Sequence, residues 1–379
     1  MEPNSSFPRA LTFNDILLLP GYTEFKRSDI DLTTNLTRNL KIKIPLISAP
    51  MDTVTEAKLA IALGEAGGIG IIHRNFSIED QANEVAQVKK AGFLAGAAIG
   101  HSDGVEKRIE VLAKAGIDVL VIDSAHGYSK GVIETLKTIK NKYKIEVIAG
   151  NIATYEGAKA LIEAGADALR VGMGPGAICT TRIISGMGVP QITAIHETFR
   201  AARVKKIPVI ADGGITYSGD IVKSLALGAS SVMMGSFFAS AIESPGRKIK
   251  LTQQKVPQRF KSIFHGSKTY IFKEYRGMGS IGAMEKGAKV KSEGEFHGKD
   301  YKDRVLVAEG VEGLVPIKGP AQELVDQMVG GIKSGMYYVG ARTIPELWKK
   351  AKFIQITQAS LTESHPHDIL VTNPGKNYQ

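Results

Sequence analysis

A single cysteine, Cys179, stands in this chain of 379 residues. That count rules out an intramolecular disulfide and a multi-cysteine zinc site. A reducing, cytoplasmic setting is the expected one. No uninterrupted apolar run approaches the roughly 20 residues of a membrane span. The start, MEPNSSFPRALTF, has no basic stretch followed by an apolar one, so neither membrane insertion nor a signal peptide is expected. Acid is in short supply: 48 Lys and Arg against 38 Asp and Glu leave a formal charge of +10. Such an excess suits an anionic partner. The basic residues read as dispersed at helix-surface spacing, as in LKTIKNKYKIEV, and not as the concentrated stripe of a nucleic-acid binder. A phosphorylated small molecule is expected in its place, and no nucleic acid.

From about Ile42 the chain repeats one theme, a short apolar run ending in small or acidic residues and then an amphipathic helix. The runs are IPLISA, GIGIIH, LAGAAIG, DVLVIDSAHG, IEVIAGN, ALRVGMG, IPVIADGG and SSVMMGS. Segments such as GVEKRIEVLAKAGI, KGVIETLKTIKNKY, YEGAKALIEAGA, AIHETFRAARVKK and GDIVKSLALGA separate them. Their apolar residues recur every three or four positions, and several end in glycine, a helix stop. Continuous apolar runs alternating with helices predict buried parallel strands. Eight such units predict an α/β fold of the (β/α)8 TIM-barrel class. A doubly wound open sheet would place its glycine fingerprint after the first strand, whereas here glycine-rich turns follow many strands.

Barrel chemistry sits at the C-terminal ends of the strands, which here read SAPMDT, HRN, DSAHG, GNIAT, GMGPGAICTT, DGGI and GS. Cys179 closes the most glycine-rich of these. Gly172, Gly174 and Gly176 open the backbone to close approach by an ion or ligand. A lone structural cysteine expects apolar neighbours on a regular element; this one is followed by Thr180, Thr181 and Arg182, and a neighbouring guanidinium would favour thiolate. A nucleophile is expected. The glycine turns at Asp212–Gly214 and at Gly235–Ser236, after the seventh and eighth strands, match the usual phosphate position of barrels. Residues 246–319 are expected to form a long irregular, mobile flap with short helical pieces at most, since a long loop in a compact domain is usually functional. Helical pattern returns with AQELVDQMVGGIKSGMYYVG and TIPELWKKAKF, and residues 359–379 read as a C-terminal arm.

The stretches SAPMDTVTE, GGIGIIHRN, VIDSAHG, VGMGPGAICTTR, GVPQITAI, ADGGITYSGDIVKSLALGASSVMMGS, YRGMGSIGAM, EGVEGLVPIKG and ESHPHD together resemble the IMP dehydrogenase and GMP reductase family. They run in the family's order over nearly the whole chain, as a single catalytic domain. The resemblance implies that Cys179 attacks C2 of IMP, that hydride passes from that carbon to NAD, and that water then releases XMP. Thr181 would sit beside the reacting carbon. Asp212, Gly213, Gly214, Gly235, Ser236 and Tyr275 would hold ribose and phosphate, and Met278, Gly279 and Glu309 the purine. Asp123, Ser124, Asn151, Arg170 and Gly172 would serve NAD or the cysteine loop. Carbonyls of Gly174, Gly176 and Cys179, with Glu363, Ser364 and His365 from a neighbouring subunit, would hold potassium. The family implies a homotetramer.

Three departures from the family pattern stand out. The regulatory pair of cystathionine-synthase-like modules is missing, and QVKKAGFLAGAAIG runs straight through the junction near residues 90–95. Ala177 stands where a serine commonly precedes the Ile of the cysteine loop. The family's Arg-Tyr pair in the flap, which activates water, reads here as Asp300-Tyr301 with arginine only at Arg304. Tyr301 and Arg304 are the candidates, with His297 and Lys299 as substitutes. Three other readings stay open: a GMP reductase, running from NADPH to purine with release of ammonia; a nucleotide-binding barrel without turnover; and, least favoured, a nucleic-acid binder. The motifs YRGMGSIGAM, GMGVPQITAI and ESHPHD favour the dehydrogenase side.

Overall fold

The computed structural model describes residues 7–102, 104–264, 266–290, 307–369, 371–372 and 375. The N-terminal segment wraps the outside and base of the molecule. Its strand β1 (Ile16–Leu18) pairs antiparallel with the late strand Phe353–Gln355, and β2 (Thr34–Asn35) pairs with β3 (Lys41–Ile42). Eight parallel strands then close a barrel: β4 (Leu46–Ser48), β5 (Ile69–Ile72), β6 (Gly96–Ile99), β7 (Val119–Asp123), β8 (Glu146–Ile152), β9 (Ala168–Val171), β10 (Val209–Asp212) and β11 (Ser231–Met234). Every run expected to be a strand is one, in the expected order.

The barrel is shaped by the two faces of each strand. Ile47, Ile69, Ile71, Ala98, Val119, Val121, Ile148, Ala168, Ile210 and Met233 point inward and pack as one cluster, closed below by Leu36 and Ile42. Their neighbours in sequence point outward beneath the helices, as the two-residue period of a strand requires. Five of those helices, α1 (Ala57–Glu65), α2 (Ile78–Lys90), α3 (Val105–Lys114), α5 (Tyr155–Glu163) and α8 (Ser218–Ala226), end alike. Two residues past each lies a glycine, Gly67, Gly92, Gly116, Gly165 or Gly228, with φ between +85° and +114°. Only glycine takes that left-handed turn without strain, so it reverses the chain into the next strand. Helices α4 (Lys130–Lys142), α6 (Thr181–Ile184) and α7 (Gln191–Lys205) complete the series to that point, and α9 (Ser236–Ala239) follows β11.

The stretch expected to be irregular holds an antiparallel sheet of three strands in the order β12 (Lys248–Thr252), β13 (Thr269–Arg276), β14 (Glu312–Pro316). A small core of Val256, Ile263, Phe264 and Phe272 lies under it, separate from the barrel. Helix α10 (Ile281–Lys289) follows β13. This segment also corrects the view of dispersed charge, because residues 244–273 contain Lys and Arg at eight positions and no Asp or Glu. One of the eight, Lys273, is fully buried. Its Nζ donates to the carbonyls of Ala241 (2.6 Å) and Ser244 (2.5 Å) and to Ser244 Oγ (2.8 Å), tying the sheet to the end of α9. Burial first, then the Lys248 charge, pushes its pKa down to about 8. The chain ends with α11 (Ala321–Val339), α12 (Ile344–Lys350), β15 (Phe353–Gln355) and α13 (Gln358–Glu363). Among the described residues no helix is long and apolar enough to cross a membrane.

Candidate active site

Three inward columns of the barrel change character at the same end. Val119 and Val121 lead to Asp123, Ala168 leads to Arg170, and Ile210 leads to Asp212. Period-two geometry therefore delivers two carboxylates and a guanidinium to the C-terminal rim. They join there. Arg170 Nη1 donates to Asp123 Oδ1 at 2.5 Å, and its Nε donates to Asp212 Oδ2 at 2.9 Å. Asn151 Nδ2 donates to that same Asp212 oxygen at 2.8 Å and to the Gly172 carbonyl at 2.9 Å. Burial works against the Arg170 charge, but Asp212 and then Asp123 outweigh it and hold its pKa above the ordinary value. Asp123 Oδ2 lies 3.7 Å from Arg74 Nε.

The cysteine loop leaves β9 directly beside this group. A Cβ on Gly172 would come within 2.1 Å of the Asp212 carbonyl oxygen, and its φ is +151°, so only glycine permits the crossing. Gln191, at the start of α7, fastens the same place: its Nε2 donates to the carbonyls of Val171 (2.9 Å) and Asp212 (3.0 Å). The Cys179 thiol, half-buried, donates to Thr181 Oγ1 at 3.2 Å. Once the sulfur ionises, a hydroxyl there can rotate and donate to it. Arg182 does not serve the thiol as expected. Its Nε donates to the Met173 carbonyl (3.3 Å) and its Nη2 to that of Val189 (2.7 Å), so it staples the two ends of the loop. Adjacency in sequence misled because α6 turns the Arg182 side chain back along the loop.

Cys179 is held by a ladder of three backbone segments. Thr180 N donates to the Glu309 carbonyl and Val311 N to the Ile178 carbonyl, each at 3.0 Å. Glu309 N donates to the Gly279 carbonyl (3.1 Å) and Gly277 N to that of Val311 (3.0 Å). Met278, Gly279 and Glu309 are thus brought to the cysteine through main-chain bonds. Gly213 and Gly214, both at positive φ, face Pro175 on the other side of the loop. Tyr275 bonds Ser236, and its hydroxyl fills the space where a Cβ of Gly235 would sit, 2.7 Å away. Burial first, then the Asp212 charge, pushes the Tyr275 pKa up, so it remains a neutral hydroxyl.

A family model described as IMP dehydrogenase / GMP reductase domain matches residues 10–367. The chain belongs to that family. It is 43% identical over 413 residues to the inosine-5′-monophosphate dehydrogenase of Cryptosporidium parvum, covering 98% of each chain. It is 42% identical over 418 residues to that of Borreliella burgdorferi, covering 97% of this chain and 99% of the relative. With the Aquifex aeolicus protein of the same name it shares 38% over 507 residues, covering 100% of this chain and 99% of the relative. That alignment exceeds the 379 residues here, so the relative contains stretches with no counterpart in this chain.

The residues that the family resemblance assigned fall into distinct places. Asp123, Asn151, Arg170 and Gly172 share one hydrogen-bonded group. Ser124 lies beside it, but its hydroxyl is engaged within its own loop, donating to the His126 carbonyl at 3.2 Å. Gly174 and Gly176 flank Pro175, and the Gly176 carbonyl accepts from Cys179 N at 3.0 Å. Glu363, Ser364 and His365 belong to the end of α13, which rests on Phe13–Asp15, the His365 ring lying 6.4 Å from that of Tyr217. Among the described residues no cluster of three or more His, Cys, Asp or Glu could hold a metal, so a cation here would depend on carbonyl oxygens. His297, Lys299, Asp300, Tyr301 and Arg304 lie outside the described residues.

Two groups of site residues went unassigned in the sequence. Gln191 was visible only as part of GVPQITAI. Asp52, Asn75 and Arg276 form a buried cluster across the barrel mouth, in which Arg276 Nε and Nη2 grip Asp52 Oδ1 and Oδ2 at 3.0 and 2.5 Å. The only available signal was their position at strand ends.

Proposed function

We propose that this chain oxidises IMP to XMP with NAD as hydride acceptor, through a covalent adduct at Cys179. The observation that carries the reading is the meeting at Cys179 of the segments 178–181, 277–279 and 309–311, on the loop that leaves β9 beside the Asp123–Arg170–Asp212 group. A nucleophile with the backbone of 277–279 and 309–311 on one side and two carboxylates, each able to accept from a ribose hydroxyl, on the other suits a nucleotide reacting with a dinucleotide.

The Cys179 thiolate adds to C2 of the hypoxanthine, forming a C–S bond and making that carbon tetrahedral. Thr181 Oγ1, beside the sulfur, supports the thiolate and then the adduct by hydrogen bonding. NAD, when bound, accepts the hydride that leaves C2. The purine is then attached through C2 to sulfur, and water attacks that carbon, breaks the C–S bond and returns the thiol. The overall balance is IMP, NAD and water to XMP, NADH and a proton. Covalent addition matters because a flat aromatic carbon is a poor hydride donor, whereas a tetrahedral one is a good one. Tyr301 and Arg304 are the candidates for activating the water.

Asp212 with Gly213 and Gly214, and Gly235 with Ser236 and Tyr275, would hold ribose phosphate. Asp212 offers its Oδ1, since Oδ2 is taken by Arg170 and Asn151. Met278, Gly279 and Glu309 would line the purine. The Asp123 Oδ2, beyond hydrogen-bond length from Arg74, suits a ribose hydroxyl of NAD. Carbonyls of Gly174, Gly176 and Cys179 are the donor type that a hard, weakly held monovalent cation takes, so potassium fits there, with Glu363, Ser364 and His365 supplied by a second copy in a homotetramer. The absence of regulatory modules near residues 90–95 removes control by nucleotides at such modules. A cytoplasmic enzyme without nucleic-acid or membrane partners completes the reading.

The test is turnover. IMP with NAD and potassium should yield NADH and XMP. No NADH, with NADPH consumed in the presence of GMP, would replace this reading by the reductase; IMP binding without either reaction would replace it by a non-catalytic barrel.

A further inference from the structure

We infer that Asp52 is a positioning residue for Cys179, acting through Arg276 and the backbone ladder, with Asn75 as its second anchor. The inference rests on the function proposed above. Asp52 sits four residues past β4 on the SAPMDT turn, and its side chain has no solvent exposure. Arg276, the last residue of β13, meets it side-on with Nε and Nη2, the planar fork that holds a carboxylate in one orientation. Arg276 N also donates to Thr53 Oγ1 at 3.2 Å. On the other side Asn75, three residues past β5, uses Nδ2 for both Asp52 Oδ2 (3.0 Å) and the Ala283 carbonyl in the first turn of α10 (2.9 Å).

The segment between those anchors is Gly277-Met278-Gly279-Ser280. Its ends are fixed to loops of the first two barrel strands, and its middle is bonded to 309–311, which is bonded to 178–180. The path from the Asp52 carboxylate to the nucleophile therefore runs through one ion pair and two backbone rungs, and the rungs pass through Gly279 and Glu309 on the side proposed for the purine. The backbone of Asp52 joins in as well, its N–H lying 3.4 Å from Met278 Sδ. Gly277 and Gly310 cross so closely that a Cβ on Gly277 would approach Gly310 Cα to 3.3 Å. A shift of Arg276 is thus transmitted to Gly310 and to Cys179, which faces it.

Asp52→Asn keeps the shape and removes the charge that holds the fork. The experiment compares it with wild type and with Asn75→Ala, using the full chain and 2-chloroinosine 5′-monophosphate as probe. The thiolate displaces chloride from C2 of that probe and forms the same C–S adduct that the proposed hydrolysis consumes, so labelling is read as chloride released in the first turnover. Expected for Asp52→Asn is a labelling rate at least about tenfold lower, with the Kd for IMP changed by less than about threefold. Asn75→Ala should fall in the same direction by less. Arg276→Lys, which keeps the charge but not the fork, should recover only part of the rate. Equal labelling of wild type and all three variants overturns the inference and leaves the function standing. Rate and IMP affinity falling together, in proportion to lost folded protein, also overturns it, since that is a structural role alone. A wild type that releases no chloride overturns the proposed function and this inference with it.

Discussion

Arg170 on β9 bridges two carboxylates from strands on either side of its own, 2.5 Å from Asp123 Oδ1 on β7 and 2.9 Å from Asp212 Oδ2 on β10. In the proposed reaction those carboxylates belong to different ligands, one to NAD and one to IMP. Removing the buried guanidinium leaves two half-buried like charges facing each other, and breaking a buried pair in this way costs up to about 3–5 kcal/mol. Arg170→Met should therefore raise the KM for both substrates and lower kcat/KM by on the order of 100-fold or more. Steady-state kinetics with each substrate varied in turn checks this; a change confined to one KM would show that the two carboxylates are positioned independently.

Cys179→Ala removes the proposed nucleophile but none of the side chains proposed to hold ribose and phosphate. IMP binding, read by calorimetry, should persist within about threefold, while NADH formation falls to background. Residual turnover in the variant would contradict the covalent route.

Gln191 holds the ends of β9 and β10 together through the carbonyls of Val171 and Asp212. Gln191→Leu leaves two buried acceptors without their donor, at a cost of about 1–3 kcal/mol. A lower denaturant midpoint with unchanged slope is expected, together with reduced activity, since Gly172 and Asp212 meet at that point.

Lys273 provides a pH signature in the three-stranded sheet. Its folded-state pKa is about 8, below the ordinary 10.5, so the unfolded chain holds the proton more tightly. Stability of the wild type should then rise, relative to Lys273→Met, as pH climbs from about 8 towards 10.5, while below about 8 the cost of holding the buried ammonium charged is fully present and independent of pH. The variant itself should be less stable by about 1–3 kcal/mol at neutral pH, because the Ala241 and Ser244 acceptors lose their donor. Urea midpoints at several pH values measure both effects.

The barrel was legible because buried parallel strands write themselves as unbroken apolar runs, and the helices between them carry the period of their inward face. Asp123, Arg170 and Asp212 were legible as strand ends, where barrel geometry concentrates function. The sheet of β12, β13 and β14 was not. Lys-Ile-Lys-Leu-Thr alternates as a strand should, but its partner begins at Thr269 and the third strand at Glu312; no hairpin-length turn marks the pairing, and the lysines read as surface. Asp52 and Arg276 lie 224 residues apart, so nothing local announces their ion pair. Arg182 failed differently: its place in the sequence was right and its direction was not.

The central claim is hydride transfer from a nucleotide bound covalently to Cys179, and the most direct measurement is a pre-steady-state record of NADH formation with IMP, NAD and potassium, followed over many turnovers. A burst of about one NADH per site followed by sustained turnover is the predicted result, with hydrolysis of the adduct as the slower step. The absence of NADH at enzyme concentrations high enough to see a single turnover would contradict the account.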